Sequence, residues 1–143
     1  MGRVTVHLHG RPKGPGTKTL IENYAKRVSS SGISLEIHPD RIALSEYEKR
    51  IQSKGGNLIL LDETGTTMTS MQLADILSGA SLSGQNLIFA IGPVDGFSDE
   101  MKEANNTISL SKMTLTHEMA SAILLEQLYR ASEINRGSPY HRT

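Results

Sequence analysis

An α/β fold built on a mostly parallel sheet is the class this sequence predicts, and three observations predict it. Stretches of period-two alternation are followed, repeatedly along the chain, by stretches of helical spacing. Two runs, Leu58-Ile59-Leu60-Leu61 and Leu87-Ile88-Phe89-Ala90-Ile91, are apolar throughout, as strands covered on both faces are. Most junctions carry a glycine or a Ser/Thr residue able to cap a helix. The length fits one domain, residues 1–143, with a real core and no appended recognition domain.

Val4, Val6 and Leu8 alternate with polar residues, so a strand comes first, and the stretch 10–16, glycine at both ends, breaks it. From Thr17 onward Leu20, Ile21, Tyr24, Ala25 and Val28 recur at helical spacing as far as Gly32, and Ile33, Leu35 and Ile37 then alternate again. Ser45 and Glu48 stand three apart and predict a capping box opening a short helix that ends before Gly55 and Gly56. The two apolar runs are expected at the centre of the sheet. Between them Thr69 and Gln72 predict a second capping box, on a helix carrying Met71, Ala74, Asp75, Ile76 and Leu77 and ended by the glycines at 79–84. Ser98 is expected to cap a short helix to Asn105, followed by a brief strand over residues 107–110. Thr116 is expected to cap the last helix, whose Met119, Ile123, Leu124, Gln127, Leu128 and Ala131 form one long apolar stripe. The polar tail 137–143 carries no periodicity and is expected to be unstructured. No internal repeat, low-complexity segment or linker interrupts this order.

Fifteen basic and fifteen acidic residues cancel, so nothing announces the phosphate attraction of a free-standing nucleic-acid binder. The absence of cysteine removes disulfides, thiolate metal sites and cysteine nucleophiles, and makes an intracellular setting the simpler expectation. Neither apolar run approaches the length of a membrane span, and no signal stretch follows the opening Met-Gly-Arg. The expectation is a soluble cytoplasmic protein with neither membrane nor DNA among its partners.

Parallel α/β sheets bind ligands beyond the carboxyl ends of their strands. The stretches after the two apolar runs, residues 62–67 and 92–96, are therefore where chemistry is expected. Gly92-Pro93-Val94-Asp95-Gly96 couples two glycines, which admit close approach of backbone to a ligand, with an acidic acceptor; it is neither a GxGxxG fingerprint nor a P-loop. By composition alone it reads first as an ordinary strand-to-helix turn. His117, Glu118 and Arg130 lie on the last helix, and Tyr140, His141 and Arg142 follow it. These groups can move protons or hold phosphate, although a terminus of this kind reads by itself as a solvated tail. His7 and His9 alternate on one strand and share a face, but with no third ligand evident nearby a metal is not expected. Ser29-Ser30-Ser31 reads as a helix end.

Several segments carry a resemblance: Leu60-Leu61-Asp62, Ile91-Gly92, Asp95-Gly96-Phe97-Ser98, Ser109-Leu110-Ser111, Thr114-Leu115-Thr116-His117, Leu128-Tyr129-Arg130-Ala131 and Pro139-Tyr140-His141-Arg142. In order and spacing they resemble the small SPOUT methyltransferases that act on N3 of a pseudouridine in large-subunit ribosomal RNA. The resemblance covers about residues 57–143, and the terminal Tyr-His-Arg is its most specific part. It implies a doubly wound sheet with a carboxyl-terminal trefoil knot, a homodimer, and S-adenosyl-L-methionine (SAM) bound in the knot. Periodicity cannot show a knot, which is rare enough that pattern alone predicts an open sheet.

By the same resemblance SAM is expected among Leu61, Gly92 and the loop Ser111, Lys112, Met113, Thr114, Leu115 and Thr116, with Met113 and Leu115 over the adenine. Tyr140, His141, Arg142 and Arg130 are expected at the methyl-transfer pocket, facing the SAM of a partner subunit, with His141 or a carboxylate such as Glu118 as candidate base. The substrate is expected within the ribosome, where surface shape compensates for a neutral chain. Three positions, in two segments, depart from the family pattern. Pro93 and Asp95 stand where the family usually has glycine and glutamate, and Thr116 where it usually has proline. Two other readings compete: a SPOUT-fold ribosome or RNA binder without catalysis, and a phosphate- or nucleotide-binding α/β module using the 92–96 turn.

Overall fold

The computed structural model describes residues 2–142. Ten elements follow in the order β1 (Val4–His9), α1 (Pro15–Ser29), β2 (Ile33–His38), α2 (Leu44–Gln52), β3 (Asn57–Thr67), α3 (Ser70–Ser83), β4 (Leu87–Ile91), α4 (Asp99–Ala104), β5 (Asn106–Ser109) and α5 (His117–Arg136). The strands form one sheet in the order β2-β1-β4-β3-β5, and all of its pairings are parallel. The predicted α/β class is the one found.

Each residue of β4 is buried, because successive side chains point into two different cores. Leu87, Phe89 and Ile91 join Ile59 and Leu61 under α1, α3 and α5, where Leu124, Leu125 and Leu128 are fully buried. Ile88 and Ala90 join Leu58 and Leu60 under α2 and α4, with Tyr47, Ile51, Phe97 and Met101. An uninterrupted apolar run is thus the signature of a strand with helices on both faces.

Local signals place the helix ends where their partners are also local. Thr69 accepts from the Gln72 amide at 3.1 Å while the Gln72 side chain accepts from the Thr69 amide at 2.8 Å, the reciprocal box the spacing predicts. Ser98 and Thr116 cap α4 and α5 through the amides of Met101 and Met119. Ser45 with Glu48 behaves otherwise. Helix α2 begins after Ala43 with no side-chain cap, and the Glu48 carboxylate accepts instead from the amide and hydroxyl of Ser98 at 2.8 and 2.9 Å. A charged acceptor at the start of another helix is worth more than a neutral local bond, so the tertiary partner wins.

Three further expectations change. Residues 62–67 are not a loop: β3 runs on to Thr67, with a register shift between Leu61 and Thr66, so that both residues face Ile108 of β5. Edge strand β2 buries Ile33 but leaves Ile37 41% exposed, while His38 turns inward. Within the tail, whose last residue lies outside the described residues, Ser138, Tyr140 and His141 are half-buried and not solvated. Gly137, at φ +74°, reverses the chain after α5, its amide and that of Ser138 bonding to the carbonyls of Ile134 and Glu133. That reversal brings Tyr140 edge-on to Tyr129, with ring centroids 4.6 Å apart.

Helix α1 opens at Gly14, a residue with no side chain to cap it, and Glu118 of α5 supplies the acceptor. Its carboxylate takes hydrogen bonds from the Lys13 and Gly14 amides at 2.9 and 3.0 Å and from the Thr17 hydroxyl at 2.5 Å. The Thr17 hydroxyl first, then the Lys13 amide, holds the Glu118 carboxyl below the usual carboxylate range. A group committed in this way clamps the start of α5 to the start of α1. Because its folded pKa is depressed, its contribution is present above the unfolded value and is lost as pH falls through the folded one. Glu118→Ala is expected to cost about 2 kcal/mol at neutral pH, and progressively less than that below about pH 4. Chemical denaturation of both chains across that range measures the difference.

Candidate functional site

The carboxyl end of β4 and the middle of β3, where its register shifts after Leu61, open into a cavity of about 190 Å³. Three separate segments wall it: Leu61, Asp62 and Glu63 from β3; residues 91–96 from the end of β4 onward; and residues 110–120 leading into α5, except Lys112, Thr116, Glu118 and Met119. Apolar Leu61, Ile91, Leu110 and Leu115 contribute one part of the lining and the carboxylates of Asp62, Glu63 and Asp95 another. Parallel strands with helices on both faces leave their chain ends open at such a crevice, which explains the position.

The turn after β4 is closed by the Gly96 amide, which donates to the Pro93 carbonyl at 2.9 Å. It asks Pro93 for an acceptor and not for an amide proton, so proline is accommodated. Gly96 sits at φ +80°, where glycine is the favoured residue. At Gly92 a Cβ would meet the Phe97 ring at 3.2 Å. That ring stacks on Tyr47, centroids 6.1 Å apart at 10°, so it is backed by a buried neighbour. The hydroxyl of Tyr47 in turn donates to the Ile91 carbonyl at 2.6 Å, pinning the strand end from which the turn departs.

The third wall is shaped by short polar links. Ser109 donates to the Ser111 carbonyl at 2.7 Å, Ser111 accepts from the Met113 amide at 3.0 Å, and Thr114 donates to Glu63 at 2.5 Å. Asp62 is itself tied to the amide and hydroxyl of Thr64. Of the cofactor residues expected from the sequence, Leu61, Gly92, Ser111, Met113, Thr114 and Leu115 line the cavity. Lys112 and Thr116 do not line it, and Thr116 is occupied as the cap of α5. Met113, which lines the cavity, is 77% exposed among the described residues. Glu63 escaped the sequence reading; nothing local marks it, because its partner Thr114 is 51 residues away.

A second cluster forms at the far end of α5. Arg130 is held by the Glu126 carboxylate at 3.1 to 3.3 Å, and its guanidinium lies over the Tyr140 ring, 4.9 Å from the centroid. The hydrogen bond and charge of Glu126 raise the Arg130 pKa further. Arg130 Nη1 lies 3.2 Å from Nδ1 of His141. A guanidinium only donates, so His141 Nδ1 is an acceptor and the neutral ring carries its proton on Nε2. Burial, then the hydrogen bond with the Tyr24 hydroxyl, pushes the Tyr140 phenol up to about 12. Arg142 is exposed.

None of Arg130, Tyr140, His141 and Arg142 lines the cavity. His117, which does, lies on the same helix as Arg130 but 13 positions earlier, about 20 Å along the axis.

Residues 3–141 match the profile of the family described as "Predicted SPOUT methyltransferase". The chain belongs to the SPOUT methyltransferase family. Among its relatives is the ribosomal RNA large subunit methyltransferase H of Geobacter sp. (strain M21), 43% identical, the match covering 92% of this chain and 94% of the relative. The protein of the same name from Koribacter versatilis (strain Ellin345) is 42% identical over 92% of each chain. That from Ruegeria sp. (strain TM1040) is 35% identical, covering 98% of this chain and 99% of the relative. Among solved structures, TrmJ from Z. mobilis ZM4 shares the fold, with a TM-score of 0.50 at 10% identity over 92% of this chain and 70% of that one. The match to the SPOUT family extends to the amino-terminal half, where the sequence resemblance rested on little more than length and the order of strands and helices.

Proposed function

We propose that this SPOUT chain is a SAM-dependent methyltransferase acting on N3 of a pseudouridine in large-subunit ribosomal RNA, in the cytoplasm, on an assembled ribosome. The observation that carries the reading is that segments scattered over residues 61–120 line one cavity. Its chemistry fits the donor. Apolar Leu61, Ile91, Leu110 and Leu115 suit a purine, and the Asp62, Glu63 and Asp95 carboxylates suit a ligand bearing a sulfonium and an ammonium. When bound, SAM supplies the methyl group. In this reading the carboxyl-terminal segment forms the knot of the family, within one domain spanning residues 1–143.

The cavity and the Arg130 cluster are too far apart within one chain to act on the same atom. A homodimer that sets the tail of one chain over the cavity of the other unites them. Exposed Met113 at the cavity mouth and Met119 on α5 are apolar surface for such a partner to cover.

In the composite site Arg142, free of an acidic partner among the described residues, binds phosphate, while Arg130 positions Tyr140 and His141. Nε2–H of His141 donates to a carbonyl beside N3. That bond stabilises the charge that builds on the base as its N3 proton leaves to solvent and the N3–methyl bond forms. His141 therefore acts as a hydrogen-bond donor, and no side chain is required as base.

The reading is tested with labelled SAM and ribosomes lacking the modification, the product nucleotide being identified by mass spectrometry. Label is expected on N3 of a pseudouridine, with little on naked RNA of the same sequence. Label on a different nucleotide refutes the assigned substrate, and ribosome binding without label makes the chain a non-catalytic binder.

A further inference from the structure

Strands β1 and β2 bring together three metal-ligating side chains on the sheet face opposite α5, away from the cavity. The register pairs His7 with Glu36 and His9 with His38, so that Glu36 and His38, two apart on β2, flank His7. The Nδ1 atom of His7 lies 2.8 Å from Nε2 of His38 and 3.7 Å from Oε2 of Glu36. All three donor atoms fall within 4.8 Å of one another. The sequence reading set zinc aside for want of a third ligand, and sequence separation is why: the other two donors come from the neighbouring strand. His9, the expected companion of His7, is instead spent on the Ile42 carbonyl at 2.9 Å.

We propose that His7, Glu36 and His38 bind a divalent transition-metal ion of the Zn²⁺ class, fastening edge strand β2 to β1.

Two imidazoles and one carboxylate, with no thiolate, make a donor set that zinc takes up readily. Tetrahedral zinc with bonds of about 2.0 to 2.1 Å holds its ligand atoms about 3.3 Å apart. The separations of 2.8 and 3.7 Å bracket that value, and the third, no more than 4.8 Å, closes by rotation of the half-exposed Glu36 side chain. The rings are already fixed. Tyr47 stands edge-on to His38 at 4.9 Å, and His7 is fully buried. His7 Nε2 has no partner among the described residues, which leaves Nδ1 as the bonding atom of that ring.

Access agrees with the geometry. The Glu36 side chain is 45% exposed, which leaves a path for the ion and room for water as fourth ligand. Its other oxygen faces Lys54 Nζ at 3.8 Å, so Oε2 is the one turned to the histidines.

The test uses the full chain stripped with chelator and titrated with Zn²⁺ against a chromophoric competitor, with thermal unfolding as a parallel readout. One ion per chain at submicromolar Kd is expected, with Tm raised by about 5 °C or more at saturation. Glu36→Gln, at a half-exposed position that keeps the fold, is expected to weaken binding by at least about 10-fold, and His38→Gln by more. With Co²⁺ in place of Zn²⁺, the intense visible bands of a tetrahedral site are expected in the unsubstituted chain and lost in His38→Gln. No saturable zinc binding in the micromolar range, or equal affinity in the parent and both variants, overturns the proposal. None of these readouts depends on methyl transfer, so the site can fail while the enzymatic reading stands, and the reverse.

Discussion

A chain ending at Pro139 is expected to lose methyl transfer by at least about 100-fold while retaining its SAM affinity. It removes Tyr140 and His141, which contact Arg130, and the exposed Arg142 proposed to bind phosphate, but nothing that lines the cavity. Gly92→Val is expected to show the converse. A Cβ there already meets Phe97 at 3.2 Å, and the added methyls narrow the cavity, so SAM binding falls and activity with it. The decisive measurement combines the two. If the tail of one subunit completes the cavity of the other, coexpressed inactive chains form mixed dimers in which one of the two sites is intact. Random pairing then restores about a quarter of the parent activity, since half the dimers are mixed and each has one working site. If the tail instead folds over its own cavity, every chain in the mixture remains defective and activity is not regained. Ribosome methylation by the purified mixture separates the outcomes.

Gly65→Val is expected to be the most damaging single substitution to the fold's edge, lowering stability by about 3 kcal/mol and Tm by about 5 to 10 °C. Gly65 lies in the irregular part of β3, where the strand runs past the Leu61 pairing and rejoins β5 at Thr66. A Cβ at this position would stand 2.7 Å from the backbone carbonyl carbon and oxygen of Thr107 and 2.8 Å from the carbonyl carbon of Ile108. Backbone cannot rotate aside as a side chain can, so β5 must move. The strand leads directly into the loop that carries Ser111, Met113, Thr114 and Leu115, and its displacement also undoes the Thr114–Glu63 link. SAM affinity is therefore expected to fall together with Tm. Calorimetric titration alongside thermal unfolding checks the pairing: a chain that loses stability but keeps full SAM affinity would separate β5 from the cavity wall.

What could be read from the residues alone was whatever depends on near neighbours. Strand and helix periods follow from which face of an element is buried, and they located all ten elements, including β4 with its core on both sides. Capping at Thr69, Ser98 and Thr116 was legible because donor and acceptor lie three residues apart. Six of the eight residues assigned to the cofactor by resemblance line the cavity, because motif spacing reports which loops follow which strands.

The destinations of long-range polar groups were decided only by the tertiary structure. Glu48 resembles a local cap but bonds to Ser98, 50 residues on; Glu118 resembles a candidate base but clamps Gly14, 104 residues away. Glu63 carried no signal until Thr114 arrived beside it, and His7 found its third ligand only when β2 was laid against β1. The tail reads as solvated because its anchors, Tyr24, Tyr129 and Arg130, are contributed by two helices whose meeting no local pattern describes. The physical division is one of range. Backbone hydrogen bonding and amphipathic burial act over a few residues and so are written in the order of the sequence, whereas a carboxylate or an imidazole takes the best partner that folding brings within about 3 Å.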